Sequence, residues 1–194
     1  WQMLLGGTKD GSDVAQINLF GSANKVVPKD MKTGAPNVNV TTAWEWPSKE
    51  QFQNADLIVA TLSRAGIRRG FGIPSGNVLP LIEAMRTGGV EFVLTAHEGS
   101  AAFAADVTGR MTGRPGLCIA TLGPGATNLS TGVGSAFLDR SPMLALTCNL
   151  NTNQLGRRIQ MYIHHHALFA PITKASLALR RGTVAATVAE AIGI

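Results

Sequence analysis

The sequence predicts an α/β fold, a three-layer αβα arrangement in which a parallel β-sheet carries helices on both faces. Between residues 50 and 194, segments with apolar residues at helical spacing alternate with short, continuously apolar segments such as "LCIATL" and "MLALTC". Continuous apolar segments indicate strands buried on both faces, and strands that alternate with helices pair in parallel. We therefore expect one sheet whose strands are joined by crossover helices.

The first half of this pattern contains three helices and two strands. The helical spacing of apolar residues in "QFQNADLIVATLSRAG" ends at Gly66, and the strand "RGFGIP" ends at its proline. The next helix, "NVLPLIEAMRTGG", has Pro80 in its first turn, where proline is tolerated. The strand "VEFVLTA" and the helix "EGSAAFAADVTGRMTG" follow, and Gly113 ends that helix.

The second half repeats the alternation. A buried strand in "PGLCIATL" leads to a helix in "GATNLSTGVGSAFLDR", and a strand in "PMLALTCN" follows. We also expect a strand in "TKASLAL" (residues 173–179) and a last helix in "TVAATVAEAI".

The composition changes near residue 50. Residues 1–50 contain five lysines and no arginine, whereas residues 51–194 contain eleven arginines and one lysine. The first part is also rich in Gly, Asn, Thr and Pro and shows little periodicity. We therefore expect residues 1–49 to form an extended or partly disordered arm, and residues 50–194 to form one globular domain.

The composition also argues against several classes of protein. A hydrophobic content of 45% is too high for a disordered chain, and no apolar run reaches the roughly 18 residues of a membrane span. The net charge is +5, but the arginines are scattered, so we expect no nucleic-acid partner. Cys118 and Cys148 lie in apolar runs and are expected to be reduced core thiols of a cytoplasmic protein.

Three strand ends carry unusual sequence: "GIPSGN" (72–77), "TAHEGS" (95–100) and "LGPGATN" (122–128). Ligands of parallel sheets bind beyond the carboxyl ends of the strands. Glu98 is notable there, because small neighbours leave its carboxylate open to close approach. A helix-terminal charge favoured by the helix dipole is the structural alternative for Glu98, and His97 is expected to be a hydrogen-bonded structural residue.

The loop "GPGATN" has three interpretations. It could hold a phosphate at a helix N-terminus, form only a tight turn, or form one wall of a pocket for another ligand. Asn128 stands where the third glycine of a dinucleotide fingerprint belongs. In the helix that follows, Gly132 and Gly134 are expected to pack closely on the sheet or on a second subunit. The triplet "HHH" (164–166) does not predict a metal site, because consecutive residues do not converge on one ion.

Together these motifs resemble the N-terminal pyrimidine-binding domain of thiamine-diphosphate enzymes. The resemblance rests on "GIPSGNVLPL", on the segment from "TAHEGSAAFAADVTGR" through "LGPGATNLSTGVGSAFLDRSPMLALT", and on "HALFAPITK". It covers about residues 50–194 and is strongest to the acetolactate synthase group with its related decarboxylases and carboligases. It implies a flavodoxin-like sheet and a transferase or lyase acting on 2-oxo acids.

The resemblance gives Glu98 a role. In this family, the corresponding glutamate hydrogen-bonds N1′ of the cofactor's aminopyrimidine and promotes loss of the proton from thiazolium C2. The resemblance also assigns the two glycine turns to the cofactor pocket: Ile73, Pro74, Ser75, Gly76, Gly123, Pro124, Gly125, Thr127 and Asn128. It places Phe103 and His166 on the substrate side, with His166 where relatives often have the glutamine of "HQALF".

Family enzymes also have a middle domain and a domain that binds the diphosphate and Mg²⁺ through a "GDG…N" motif, which does not occur in this sequence. Their site forms between the pyrimidine domain of one subunit and the diphosphate domain of another. We therefore expect half of an active site, inactive alone, in a homo-oligomer that is at least a dimer. A non-catalytic interaction or regulatory domain and a nucleotide-binding α/β domain remain as alternatives.

Overall fold

The computed structural model describes residues 2–5, 15–18, 49–150 and 161–193. The chain divides into two compact units, Trp1–Pro47 and Ser48–Ile194. In the first unit, β1 (Gln2–Leu5) pairs antiparallel with β2 (Ala15–Asn18). The sequence did not predict this pair, because strands of four residues carry too little pattern. The rest of the expected arm lies outside the described residues.

The second unit contains the predicted alternation of helices and strands. Its elements are α1 (Lys49–Arg64), β3 (Arg69–Gly72), α2 (Leu79–Thr87), β4 (Glu91–Leu94), α3 (Glu98–Thr112), β5 (Gly116–Ala120), α4 (Pro124–Leu138), β6 (Met143–Thr147), α5 (His165–Phe169) and α6 (Val184–Gly193). Helix α5, which continues into a 3₁₀ turn (Ala170–Ile172), was not predicted. Within the described segments, no helix has the length and apolar character needed to cross a membrane.

The four strands of this unit form one parallel sheet in the order β4-β3-β5-β6. The chain therefore starts in the interior of the sheet, adds β4 on one side, and then crosses over to add β5 and β6 on the other. This is the doubly wound order of flavodoxin-like folds, and its switch point lies between β3 and β5. The predicted α/β fold is confirmed.

Strand β5 shows why both faces are covered. All five of its residues are buried, and they alternate between two cores. Leu117 and Ile119 face a core of large side chains built with α1, α2 and α6. Cys118 and Ala120 face a core of mostly small residues built with α3 and α4. The helices on this second face can therefore come closer to the sheet and to each other.

Helices α3 and α4 make their closest contact at Gly132. A Cβ at this position would lie 2.5 Å from Ala102 Cβ and 3.0 Å from the backbone of Phe103. Gly132 therefore packs against a neighbouring helix, not against the sheet or a second subunit as expected. At Gly134 a Cβ would meet only Ile172, at 3.8 Å. The absence of a side chain is therefore required at Gly132 and optional at Gly134.

The predicted strand at 173–179 is wrong. No strand forms there, and residues 174–183 are all exposed. The alternation of Leu177 and Leu179 suggested a strand, but both side chains remain about 40% exposed. A strand needs a paired neighbour and a face to bury, and this segment pairs with no described strand and is exposed from residue 174 on.

The two glycines of α4 give a matched test of helix packing. We expect Gly132→Ala to lower the free energy of unfolding by about 1–3 kcal/mol, because the new methyl group overlaps Ala102. Gly134→Ala should instead raise it by up to about 1 kcal/mol, since alanine favours helix and has room there. Urea denaturation followed by circular dichroism measures both. Equal stabilisation by the two substitutions would contradict the close contact.

Candidate functional site

The carboxyl ends of the four parallel strands lie along one edge of the sheet. Gly72 of β3 pairs with Leu94 of β4 and with Ile119 of β5, while Ala120 pairs with Thr147 of β6. The three unusual motifs of the sequence follow β3, β4 and β5 directly. The fold therefore brings them to the same edge, as the sequence predicted.

Glu98 is the first residue of α3, and the residues before it hold that helix start in place. His97 is the N-cap, and its Nδ1 accepts a hydrogen bond from the backbone N–H of Gly99 at 3.0 Å. Thr95 N–H donates to the carbonyl of Gly72 at 3.0 Å and so ties the turn to the neighbouring strand. The expectation that His97 is a hydrogen-bonded structural residue is confirmed.

The Glu98 side chain is buried, with 9% of its surface exposed. The side-chain amide of Asn128 donates to its Oε2 at 3.0 Å. Asn128 lies at the start of the second turn of α4, after β5, whereas Glu98 follows β4. This hydrogen bond therefore spans the carboxyl end of β3 and links the two helices at the switch point of the sheet.

The second carboxylate oxygen faces a glycine. A Cβ at Gly125 would lie 3.3 Å from Glu98 Oε1, so a larger residue would crowd that oxygen. No described residue donates a hydrogen bond to Oε1. The carboxylate thus has one oxygen bonded to Asn128 and one that packs close to Gly125 without a hydrogen-bond donor among the described residues. This arrangement can present a proton acceptor to a flat ligand.

The "GPG" turn begins α4 in a conformation that suits glycine. Gly123 is the N-cap of α4 with φ 64° and ψ −121°. Its N–H donates to Nε2 of His165 at 3.3 Å, and its carbonyl accepts from the N–H of Thr127 at 3.0 Å. Because the Gly123 N–H is already bonded, one of the amides that a phosphate-binding loop would use is not available. The turn therefore suits the wall of a pocket better than a phosphate cradle.

His165 is a site residue that sequence reasoning missed. It is buried, and Thr147 Oγ1 lies 3.0 Å from its Nδ1 at the end of β6. Burial lowers the pKa of His165, and the neighbouring His166 and His164 lower it further. The "HHH" triplet was assessed only for metal binding. Nothing in a single sequence showed that its middle residue turns toward the glycine turn.

The turn after β3 carries four of the predicted cofactor residues, Ile73, Pro74, Ser75 and Gly76. The Ser75 carbonyl accepts the N–H groups of Val78 and Leu79, which starts α2. Its Oγ is buried, with no hydrogen-bond partner among the described residues. A buried hydroxyl without a partner is costly, so this atom is available to a ligand at the edge.

The two residues predicted on the substrate side are both exposed. Phe103 lies in the second turn of α3 and is 44% exposed. His166 is exposed, and its Nδ1 lies 2.8 Å from Ser176 Oγ. No hydrogen bond joins either side chain to Glu98 among the described residues. Their roles stay predictions.

Both cysteines are free thiols, as expected. Cys118 is fully buried in β5, and Cys148 donates to the carbonyl of Asn77 at 3.3 Å. Burial raises the pKa of each thiol to about 12, so both stay protonated and unreactive near neutral pH. Over the described residues, no group of three or more His, Cys, Asp or Glu side chains is arranged to hold a metal ion.

Comparison with known proteins identifies the family of this domain. The family described as "Thiamine pyrophosphate enzyme, N-terminal TPP binding domain" matches residues 52–170. The chain belongs to this family. The matched region runs from α1 to the end of α5 and includes Glu98, Asn128, His165 and both glycine turns.

Acetolactate synthases are among the similar proteins. The chain is 39% identical to the probable acetolactate synthase large subunit of Methanocaldococcus jannaschii over 130 residues, which is 67% of this chain and 22% of that protein. It is 37% identical to the acetolactate synthase of Bacillus subtilis over 133 residues, 69% of this chain and 23% of that protein. It is 44% identical to the acetolactate synthase isozyme 2 large subunit of Escherichia coli over 105 residues, 54% of this chain and 19% of that protein. The chain spans about a fifth of the length of these relatives.

The Glu98–Asn128 contact can be measured with a double-mutant cycle. We expect Asn128→Ala to lower the free energy of unfolding by about 1.5–3 kcal/mol, because it removes a hydrogen bond to a buried carboxylate. In a Glu98→Ala background the same change should cost much less. Denaturant unfolding of the four proteins gives the coupling energy. Additive losses would show that the two side chains do not stabilise each other.

Proposed function

We propose that this domain holds the aminopyrimidine half of thiamine diphosphate at the carboxyl edge of its sheet, with Glu98 as the proton-handling residue. The observation that carries the proposal is the state of the Glu98 carboxylate. It is buried, it is held through Oε2 by Asn128, and its Oε1 accepts no hydrogen bond from a described residue. A carboxyl group with little water around it can share a proton with a ring nitrogen.

Two further features fit this cofactor. The glycine at position 125 lets the Glu98 carboxylate approach α4 closely, because a Cβ there would lie 3.3 Å from Oε1 and 2.7 Å from Thr121 Cγ2. The buried Ser75 hydroxyl has no partner among the described residues and could bond a polar group of the ring. Ile73, Pro74 and Gly76 would line the pocket on this side, and Gly123, Pro124 and Thr127 would line it on the other.

Thiamine diphosphate, when bound, supplies the electron sink for chemistry at the carbonyl of a 2-oxo acid. The residues of this chain have simpler tasks. Glu98 would hold the proton between Oε1 and the ring nitrogen N1′. Asn128 would keep Glu98 in place by occupying Oε2, and the small residues around the carboxylate would exclude water. Phe103 and His166 would contact the substrate.

The remaining parts of the reaction need a second component. We propose that a diphosphate-binding domain, in the same protein or in a partner chain, holds the diphosphate and Mg²⁺, and that the complete enzyme is a homo-oligomer of at least two subunits. The similarity to acetolactate synthases supports carboligation or decarboxylation of 2-oxo acids. The two free thiols support a reducing, cytoplasmic location.

The alternatives receive less support. A nucleotide-binding site would need the amides of the "GPG" turn, and that of Gly123 is bonded to His165. A non-catalytic interaction domain would have no need for a buried glutamate with one oxygen that no described residue bonds. Tight binding of NAD by the chain would favour the first alternative.

Thiamine labelled with ¹⁵N at N1′ tests the role of Glu98 in the chain itself. We expect its N1′ resonance to move toward the protonated position on binding, because Glu98 shares a proton with that atom. Glu98→Gln should remove the shift, since an amide cannot share a proton. Glu91→Gln is the matched control. Glu91 is the first residue of β4, whereas Glu98 follows the last, so the two glutamates lie toward opposite ends of that strand. Its shift should equal that of the unmodified protein.

Two results would overturn the proposal. One is an N1′ resonance that does not move when thiamine saturates the unmodified chain. The other is the same movement in the Glu98→Gln variant, which would leave Glu98 as a helix-terminal charge favoured by the helix dipole.

A second prediction concerns affinity. We expect the chain alone to bind thiamine diphosphate with a Kd weaker than about 1 μM, because the diphosphate and Mg²⁺ ligands belong to the other half of the site. Isothermal titration calorimetry measures this directly. Sub-micromolar binding without a partner would mean that this chain carries its own diphosphate site.

A further inference from the structure

A buried chain of hydrogen bonds connects β6 to the start of α4, and the proposed function gives it no task. It runs from Thr147 Oγ1 through the His165 ring to the N–H of Gly123. His165 is only 6% exposed, so water does not easily replace either contact. The two hydrogen bonds join three separate segments of the chain at the edge where Glu98 lies.

The chemistry of these partners fixes the form of the ring. A backbone N–H can only donate, so His165 Nε2 must carry a lone pair and accept. The proton of the neutral ring is then on Nδ1, where it is donated to Thr147 Oγ1 at 3.0 Å. Only the neutral tautomer with its proton on Nδ1 allows both ring nitrogens to make these hydrogen bonds.

The position of Gly123 matters for Glu98. Gly123 is the N-cap of α4, and the first two turns of α4 supply both neighbours of the carboxylate. Gly125 faces Oε1, and Asn128 donates to Oε2. A shift of this part of α4 would change the packing beside one oxygen and the hydrogen bond to the other at the same time.

We propose that His165 is a positioning residue which, in its neutral Nδ1–H form, fixes the first turn of α4 and through it both contacts of Glu98. The importance of this for catalysis rests on the proposed function, but the hydrogen-bond chain does not. Protonation of the ring would put an N–H at Nε2 opposite the N–H of Gly123. Two donors cannot bond each other, so the turn would lose its attachment.

The surroundings of the ring favour the neutral form. The groups that face it from β6 and from the glycine turn, Thr147 and Gly123, are uncharged. The titratable neighbours are His164 and His166 on its own segment, and burial together with these two lowers its pKa below the ordinary 6.5. Below pH 6.5, His165 therefore binds a proton more readily in the unfolded chain than in the native state. The free energy of unfolding should fall on acidification and level off below the native-state pKa.

Two variants separate the contacts of the ring. In His165→Gln, the side-chain oxygen can reach the Nε2 position and accept from Gly123, and it does not titrate. In His165→Asn, the shorter side chain can reach Thr147 but not Gly123. If His165 only filled space, the glutamine and asparagine variants would behave alike. If it positions the turn, glutamine should rescue and asparagine should not.

An NMR pH titration of the full chain, without cofactor, tests the proposal. Near neutral pH we expect Nδ1 of His165 to be protonated and Nε2 unprotonated. On acidification, the ring, the Gly123 amide and the Asn128 side-chain amide should shift together at one midpoint below pH 6.5. His165→Gln should hold both amides at their neutral-pH positions throughout. His165→Asn should place them near their acid positions at every pH.

Three results would overturn the proposal: a proton on Nε2 near neutral pH, an Asn128 amide that does not follow the ring, or a glutamine variant that resembles the asparagine variant. If the asparagine variant does not fold, the titration and the glutamine variant still decide. No cofactor is present, so a failure here is distinct from an N1′ resonance that fails to move.

Discussion

A carboxylate can stay buried only if nearby groups bond it and cannot move away. Glu98 meets this condition because α3 and α4, which carry it and its partner Asn128, pack with almost no side chain between them. Gly132 lies against the backbone of α3 at Ala102 and Phe103. The position of the amide of Asn128 beside Oε2 depends on this close approach, and so does the packing of Gly125 against Oε1.

The two faces of the sheet serve different purposes as a result. One face carries large residues such as Leu62, Met85 and Ile119. The face under α3 and α4 is lined mostly by alanines, with Leu129, Val133 and Phe169 at its larger positions. The helices on that face can approach the sheet closely, and their first turns meet at its carboxyl edge.

Much of this could be read from the sequence, because it rests on local pattern. The buried strand β5 was visible as "LCIATL", and Glu98 was visible as a lone charge among small residues after a strand. Asn128 and His165 were harder, since their partners lie 30 and 42 residues away in the chain. Asn128 was noticed only as a missing glycine, and His165 only as one of three adjacent histidines. The strand expected at 173–179 failed for a related reason, because alternating leucines do not reveal whether a segment pairs with the edge of a sheet.

The most direct test of the account is exchange of the thiazolium C2 proton of thiamine diphosphate for deuterium in an assembly of this chain with a diphosphate-binding half. Glu98→Gln keeps the shape and hydrogen-bonding capacity of the side chain but cannot share a proton with N1′. We expect exchange of the C2 proton to collapse in this variant, while its thermal unfolding temperature changes little. Unchanged exchange with lowered stability would contradict it and would reduce Glu98 to a charge at the start of a helix.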